Sequence, residues 1–280
     1  MNENMNNLVL VPTDFSEVCD NAIHHAVQAA NFLNYKIILL HVIDKNSKEY
    51  LRKEGKGEAL LKEKLQKKAD ELKEKDNLEV ETKVVPGDIF TTIGEVAGDV
   101  GANLVFLGTH GKEGMQKLTG SFALKVITSS PSPVIVVQKR AFEKGFKEIV
   151  LPITNEAGPW EKTKWAVFMA KEFGATIHIY KIGGADKGVE DAANRIASYL
   201  EKNNVNQTLE TADKGGNFTR QVIDYATAQN ADMIMIMTNP DSNFKRFLLG
   251  SYDEDIIFNA SQIPVMCINP RKLNYEILGM

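Results

Sequence analysis

The stretch Asn103–Ser121 reads NLVFLGTHGKEGMQKLTGS and decides the fold. Its first five residues form an apolar run typical of a buried strand, and a helical pattern begins at Gly120. Gly108, Gly111, Gly120 and Ser121 therefore lie between a strand and a helix. Glycines allow the backbone to approach an anion closely, and the amides at a helix N-terminus point towards it. Ordinary tight turns also collect glycine, so the surrounding chain must decide what this segment does.

Five apolar runs of this kind occur in the first half of the chain, and helical patterns separate them. Continuous apolar strands that alternate with helices predict a parallel sheet covered on both faces. A charged segment, Glu49–Lys75, reads as one surface helix with a narrow buried stripe. The predicted strands are Leu8–Val11, Lys36–Ile43, Leu78–Val85, Asn103–Leu107 and Pro133–Val137.

The same pattern then repeats in the second half, which indicates an internal duplication. Asp14 pairs with Asn155 at a spacing of 141 positions, whereas Gly87 pairs with Gly216 at a spacing of 129. The second copy is therefore shorter by 12 residues, and we expect the loss in the charged segment between the second and third strands. Lys139–Phe146 forms a short charged linker, so the two domains are expected at 1–140 and 147–280.

Composition limits the classes of function. The 280 residues are 43% hydrophobic and 25% charged, which is ordinary for a globular protein. A net charge of −4 and a pI near 5.8 argue against nucleic acid as a partner. No signal peptide and no apolar run of about 18 residues is visible, so we expect a cytoplasmic protein without a membrane anchor. Cys19 and Cys267 are expected to be buried, reduced thiols.

A second set of polar residues follows the first strand, Pro12-Thr13-Asp14. In a doubly wound sheet, ligands bind beyond the carboxyl ends of strands where the winding reverses. If the first and fourth strands are neighbours, a carboxylate and a glycine-rich segment face each other across one crevice. This arrangement suits a nucleotide, because Asp14 can accept hydrogen bonds from an amino or hydroxyl group while backbone amides bind phosphates.

These motifs resemble those of the universal stress protein family. The likeness rests on VPTDFS after the first strand, LLHV on the second, GTHG and GS before a helix, and PSPVIVV on the fifth. It covers both halves and implies two tandem Rossmann-like (adenine nucleotide alpha hydrolase-like) α/β domains, each a five-stranded parallel sheet of order 3-2-1-4-5. Nucleotide-binding members share the signature G-x2-G-x9-G-[ST], whereas the spacer here, 112–119, has eight residues.

The resemblance also implies a function and a set of site residues. It describes an adenine-nucleotide-binding regulatory protein of the stress response, with ATP or AMP as ligand and Mg²⁺ accompanying ATP. Asp14 would contact the adenine and Val42 would line the base pocket, while the glycine-rich segment would surround ribose and phosphates. The implied ligand-binding residues are Pro12, Thr13, Asp14, Val42, Gly108, His110, Gly111, Gly120, Ser121 and Phe122.

The second half departs from this pattern. Met237 and Pro240 replace the first two glycines, and only Gly250-Ser251 remains. Because proline lacks an amide donor and methionine blocks close backbone approach, we expect no nucleotide there. The resemblance implies that the fifth strands of the two halves pair with each other, as those of family dimers do. It leaves open whether two chains form a homodimer.

Simpler roles remain open for several of these residues. Asp14 could cap the helix that follows it, and the glycines could serve only turns. His41 reads as a core histidine with its hydrogen bonds satisfied. His24 and His25 point in different directions and make a poor metal pair.

Three classes of function compete. They are a nucleotide-binding regulator, a slow ATP hydrolase or transferase, and a scaffold that binds no nucleotide. The Walker pattern G-x4-G-K-[ST] is absent, and no nucleophile–base pair is evident by spacing, which favours the regulator over the enzyme.

Overall fold

The chain forms two compact units, Met1–Phe142 and Glu143–Met280. The computed structural model describes residues 6–110, 120–142, 145–154, 159–238 and 251–270, without the side chains of 121, 122, 159, 160 and 251. No helix in these ranges is long and apolar enough to cross a bilayer.

The first unit alternates strands and helices, and three of its strands are apolar runs buried along their whole length. Such strands require cover on both faces of the sheet, which the helices provide. The elements are β1 (Leu8–Pro12), α1 (Glu17–Leu33), β2 (Lys36–Ile43), α2 (Lys45–Glu54), α3 (Ala59–Asp76), β3 (Val80–Pro86), α4 (Ile89–Asp99), β4 (Leu104–Gly108), α5 (Gly120–Ser129) and β5 (Val134–Val137).

The second unit repeats this succession with one helix fewer between its second and third strands. Its elements are β6 (Glu148–Ile153), α6 (Pro159–Phe173), β7 (Thr176–Gly183), α7 (Lys187–Lys202), β8 (Gln207–Lys214), α8 (Phe218–Ala228), β9 (Met233–Met237), α9 (Ser251–Ile257) and β10 (Val265–Ile268).

The strand order confirms the predicted fold class in both units. It runs β3-β2-β1-β4-β5 in the first and β8-β7-β6-β9-β10 in the second, with parallel pairing throughout each. The first strand of each unit therefore has the second strand on one side and the fourth on the other. Chain winding reverses at this point, which is where a doubly wound sheet opens a crevice at its carboxyl edge.

Strand register corrects one detail of the predicted duplication. Pro12 pairs with Leu40, and Pro152 pairs with Tyr180 at the same position of the second unit. Pro152 is thus the counterpart of Pro12, and Thr154, not Asn155, follows it by two residues as Asp14 does. The similar letters Thr-Asp and Thr-Asn suggested an alignment that is wrong by one residue, because inter-strand hydrogen bonds fix the register.

The predicted surface helix over 49–75 is two helices in the structure, and the second of them carries the predicted narrow buried stripe with Leu61 and Leu65. Gly55 ends α2 with a φ of +62°, a left-handed conformation that glycine adopts without a steric cost. The next helix, α3, begins at Ala59. In the second unit α7 alone joins β7 to β8, so the shortening does lie where the sequence predicted it. With Thr154 as the counterpart of Asp14, at a spacing of 140, the second copy is shorter by 11 residues and not by 12.

The helices after the third strands both begin at a capping residue, which shows which residues of the two units correspond. Asp88 caps α4 by accepting from the Phe90 amide at 2.8 Å. Asn217 caps α8 by accepting from the Arg220 amide at 3.0 Å. Satisfying a free amide at a helix start stabilises the helix by roughly 1 kcal/mol.

Candidate functional site

A cavity of about 230 Å³ opens at the carboxyl edge of the first sheet. It lies beyond the ends of β1, β2 and β4, and helices from both faces of the sheet complete its walls. Most of its lining surface is apolar, and the polar groups come from the ends of β1 and β2 and from α2 and α3. The lining residues are Pro12, Thr13, Asp14, Phe15, Cys19, Leu40, His41, Val42, Asp44, Asn46, Ser47, Tyr50, Leu61, Lys64, Ile89, Ile93, Leu107, Gly108, Ala123 and Val126.

The structure brings half of the predicted ligand-binding residues together in this cavity. Pro12, Thr13 and Asp14 reach it from β1, Val42 from β2 and Gly108 from β4. The sheet order explains the convergence, because these three strands are neighbours and end at one edge.

The remaining predicted residues are distributed differently. His110 is half-buried, follows β4 and is not part of the described lining. Gly111 lies outside the described residues. Gly120 begins α5, and the side chains of Ser121 and Phe122 are likewise not described.

Asp14 sits in a tight turn between β1 and α1. Its carboxylate accepts from the Ser16 amide at 2.9 Å, and the Thr13 hydroxyl accepts from the Phe15 amide at 3.0 Å. Phe15 between them has a φ of +66°, a value that a bulky side chain rarely adopts. Strained backbone of this kind collects at binding sites, where the surroundings hold it in place.

Burial disfavours the charged form of Asp14 and by itself would raise its pKa. Hydrogen bonds from Ser16 and Cys19 to the carboxylate have the larger combined effect, so the pKa of Asp14 lies below its usual value. At neutral pH the side chain is therefore a carboxylate that accepts hydrogen bonds at the mouth of the cavity. Asp14 belongs to the turn before α1 and also lines the cavity. It does not cap α1 as the simpler alternative predicted, because Ser16 is the N-cap residue and the amide that donates to Asp14 is that of Ser16 itself.

His41 is buried, with both ring nitrogens hydrogen-bonded, as the sequence predicted for a core histidine. Nδ1 donates to the Thr13 carbonyl at 2.8 Å, and Nε2 accepts from the Ser47 hydroxyl at 3.1 Å. Burial lowers the pKa of His41, so the ring is neutral at physiological pH. Its ring stacks on Phe15 with centroids 4.8 Å apart, and this contact supports the strained turn beside Asp14.

Gly108 is explained by packing against α1. A Cβ atom on Gly108 would lie 2.6 Å from the Val18 carbonyl oxygen and 3.0 Å from the Cys19 Cα. These are backbone atoms of a helix, which cannot move aside as the end of a side chain can. A glycine is required here whether or not a phosphate binds nearby, which the sequence pattern could not distinguish.

One wall of the cavity was missed from the sequence. Asn46, Ser47 and Tyr50 of α2 line it, and so do Leu61 and Lys64 of α3. Leu51 and Leu61 pack with Ile43 in a small core cluster that fixes this helix pair on β2. The signal was present in the pair Gly55 and Gly57, which interrupts a charged run and predicts a helix break.

The equivalent positions of the second unit carry different side chains. Strand register places Tyr180 at the position of Leu40, and the shared helix start places Phe218 at the position of Ile89. The rings of Tyr180 and Phe218 are buried and stack with centroids 5.9 Å apart. Where the first unit has two aliphatic residues lining a cavity, the second has two aromatic rings in mutual contact.

A buried lysine lies at the same edge of the second unit. Lys162 of α6 donates from Nζ to the Pro152 carbonyl at 2.6 Å. Burial lowers the pKa of Lys162 to about 8, and the negative charge of Asp253 on α9 partly offsets this shift. A positive charge of the protein itself thus lies near the end of β6.

The arrangement of possible metal ligands can be given for the described part of the chain. No group of three or more histidine, cysteine, aspartate or glutamate side chains there is arranged to hold a metal ion. His25 is buried with Nε2 on the Arg140 carbonyl at 2.9 Å, whereas His24 is exposed, so the two side chains point in different directions as the sequence predicted.

We expect both cysteines to react slowly with thiol reagents in the folded protein. Burial, with the nearby Asp14 charge, raises the pKa of Cys19 to about 12 from 9.0, which lowers its thiolate fraction about a thousandfold. Burial also raises the pKa of Cys267. Ellman's reagent at pH 8 should modify less than a tenth of the thiols in minutes, and both within seconds in 6 M guanidinium. Rapid modification of the folded protein would contradict the burial of these residues.

Comparison with known proteins agrees with the fold. The model of the universal stress protein family matches residues 5–138 and 145–269, one match in each half. The chain belongs to the universal stress protein family. Because the family model matches twice, the chain is a tandem universal stress protein.

Individual relatives resemble one half at a time. Universal stress protein MJ0531 of Methanocaldococcus jannaschii is 33% identical over 144 residues, which cover 49% of this chain and 85% of that protein. Universal stress protein MJ0577 of the same organism is 30% identical over 153 residues, covering 47% and 94%. A universal stress protein from Archaeoglobus fulgidus matches both halves in structure, with a TM-score of 0.73, 19% identity and coverage of 94% and 98%.

Proposed function

We propose that this universal stress protein is a cytoplasmic regulator that binds one adenine nucleotide, ATP or AMP, in the crevice of its first half. The observation that carries this proposal is the cavity itself. Its lining includes Asp14, Val42 and Gly108, which the sequence motifs pointed to and which lie at or directly after the ends of three separate strands. These strand ends meet at the switch point of the sheet.

The chemistry of the cavity suits a purine base. Leu40, Ile93 and Val126 offer apolar contact to a flat ring, while the Asp14 carboxylate can accept from an amino group. Sites that enclose whole drug-sized ligands measure roughly 300–1,000 Å³. A volume of about 230 Å³ fits the base end of a nucleotide, with ribose and phosphates extending towards the start of α5.

The second half is proposed to bind no nucleotide in this manner. Tyr180 and Phe218 fill positions where the first half has cavity-lining aliphatic side chains. Thr154 has no carboxylate to offer where Asp14 stands, and Met237 occupies the position of Gly108. We therefore expect one nucleotide per chain.

Binding is expected to act through conformation. A ligand shifts a protein between states only to the extent that it binds one of them better. The nucleotide would contact the ends of three strands and the surrounding helices at once, so its presence can favour one arrangement of these helices. A partner protein that binds only one of the two arrangements would respond to the concentration of the nucleotide in the cell.

Replacing Asp14 tests the proposal. Asp14→Asn keeps an oxygen for the Ser16 amide but removes the charge, and we expect it to weaken AMP and ATP binding at least tenfold, since a hydrogen bond to a charged group contributes about 1.5–3 kcal/mol. Isothermal titration calorimetry measures this directly. Glu17→Gln is the matched control, because it removes an exposed carboxylate three residues away.

The possible outcomes separate the three classes of function. Binding by the Glu17→Gln variant but not by Asp14→Asn supports the regulator. No binding by the wild-type protein would reject the nucleotide proposal in favour of a scaffold. Phosphate release from ATP above a blank without protein would indicate an enzyme.

A further inference from the structure

The helix pair α2–α3 brings a cation to the cavity. Lys64 of α3 lines the cavity one turn after Leu61, and its ammonium donates to the Tyr50 hydroxyl on α2 at 2.6 Å. The same ammonium lies 6.0 Å from the centroid of the Phe15 ring. An ammonium has three N–H donors, and the Tyr50 hydroxyl accepts one of them.

The position of Lys64 within the cavity shows which end of a ligand it would meet. Phe15 stacks on His41, and His41 holds the Thr13 carbonyl, so these groups form the wall at the ends of β1 and β2. The glycine-rich segment follows β4, on the other side of β1 in the sheet order. Lys64 therefore belongs to the wall opposite the expected phosphates.

The charges around this wall are mixed. Asp14, Asp44 and Lys64 all line the cavity, and each lies near enough to the buried ring of His41 to act on its charge. A ligand edge that enters between them meets an acceptor, the Asp14 carboxylate, and a donor, the Lys64 ammonium. Such a pair selects an edge that offers a donor and an acceptor side by side.

Adenine presents this edge. Its 6-amino group is a donor, and the neighbouring ring nitrogens N1 and N7 are acceptors. In the same orientation, hypoxanthine would set its carbonyl oxygen against the carboxylate and its N1–H against the ammonium, so both polar contacts would be reversed. We propose, building on the nucleotide site proposed above, that Lys64 is a specificity-determining residue that donates to a ring nitrogen of the base while Asp14 accepts from the 6-amino group.

The proposal assigns a role to the helix pair that distinguishes the two halves. Only α7 joins β7 to β8 in the second unit, so the wall formed by α2 and α3 has no full counterpart there. Lys64 thus lies on an element without a full counterpart in the second half, whereas the turn that carries Asp14 has a counterpart with Thr154 in place of the aspartate.

The test compares Lys64→Met with Lys62→Met, two exposed lysines on the same helix, in the full-length chain. Adenosine, AMP, ATP and IMP are titrated against each protein by calorimetry. Loss of a charged donor to a base is expected to weaken adenosine, AMP and ATP alike by about tenfold and to reduce the preference for AMP over IMP. Lys62→Met should bind as the wild-type protein does.

Other results would overturn the proposal. Unchanged binding by Lys64→Met would exclude a contact with the ligand, and a loss confined to ATP and AMP would place Lys64 at the phosphates. In both cases the nucleotide site of the wild-type protein stands. Wild-type protein that binds none of the four ligands would reject the nucleotide site and this role of Lys64 together.

Discussion

Replacing Gly108 by alanine is expected to lower the free energy of unfolding by about 1–3 kcal/mol, the usual range for overpacking a close contact. The added methyl group would lie 2.6 Å from the Val18 carbonyl oxygen and 2.8 Å from the Val18 carbonyl carbon. Either the end of β4 or the N-terminal turn of α1 must move. Both carry cavity-lining residues, so nucleotide affinity should fall with stability. Urea denaturation followed by circular dichroism measures the first effect.

Gly57→Ala is the matched control for this experiment. Gly57 has no atom within 4 Å of the position that its Cβ would take, and its backbone is not left-handed. Its replacement should leave the unfolding free energy within about 0.5 kcal/mol of the wild-type value. Equal stability of the two alanine variants would contradict the close packing of β4 against α1.

Acidification should destabilise the first unit through His25. This side chain is buried against residues 138–142, with Nε2 on the Arg140 carbonyl and its ring edge-on to Phe142. Nδ1 has no hydrogen-bond partner among the described residues. Burial therefore lowers the pKa of His25 to about 4 from 6.5. A proton added at Nδ1 would leave a charge without an acceptor.

The direction of this pH effect follows from the linkage between protonation and folding. As the pH falls below 6.5 the unfolded chain takes up this proton while the folded chain does not, so stability decreases until about pH 4. A shift of this size corresponds to about 3 kcal/mol. The test is urea denaturation of the wild-type protein and His25→Gln at several pH values between 7 and 4. The glutamine can still donate to the Arg140 carbonyl but cannot titrate, so its stability should fall less.

The neighbouring histidine provides the control. His24 is exposed on the same helix, and His24→Gln should retain most of the wild-type pH dependence, because burial contributes more than the His24 charge to the lowered pKa of His25. Equal slopes for His25→Gln and the wild-type protein would contradict the burial of His25. Protonation of carboxylates such as Asp14 also destabilises the folded protein in acid. This contribution is the same in both histidine variants, so the difference between them reports on His25.

The sequence was sufficient for the fold because its signals are local and repeated. Continuous apolar strands separated by helical patterns define a doubly wound sheet, and the duplication supplied each signal twice. Register was harder to predict. The letters after the first strand favoured Asn155 as the partner of Asp14, whereas the ladder formed by Pro152 and Tyr180 requires Thr154. Inter-strand pairing is a long-range property that one sequence does not display.

The site was predictable only where residues directly follow strands. Asp14, Val42 and Gly108 lie at strand ends, and the sheet order brings them together. Tyr50 and Lys64 come from helices within a charged segment, and their approach to the cavity depends on the packing of Leu51 and Leu61 on Ile43. The close contact at Gly108 depends on the distance between a strand and a helix, which residue spacing along the chain does not give.

The central claim is that one adenine nucleotide binds in the first half and none binds in the second. A crystal structure of the full-length chain grown with ATP tests it most directly. We expect density for one nucleotide per chain, with the base between Asp14, Val42 and Lys64 and the phosphates towards the start of α5. Nucleotide density in the second half between Thr154 and Gly250, or an empty first-half cavity at saturating ATP, would contradict the claim.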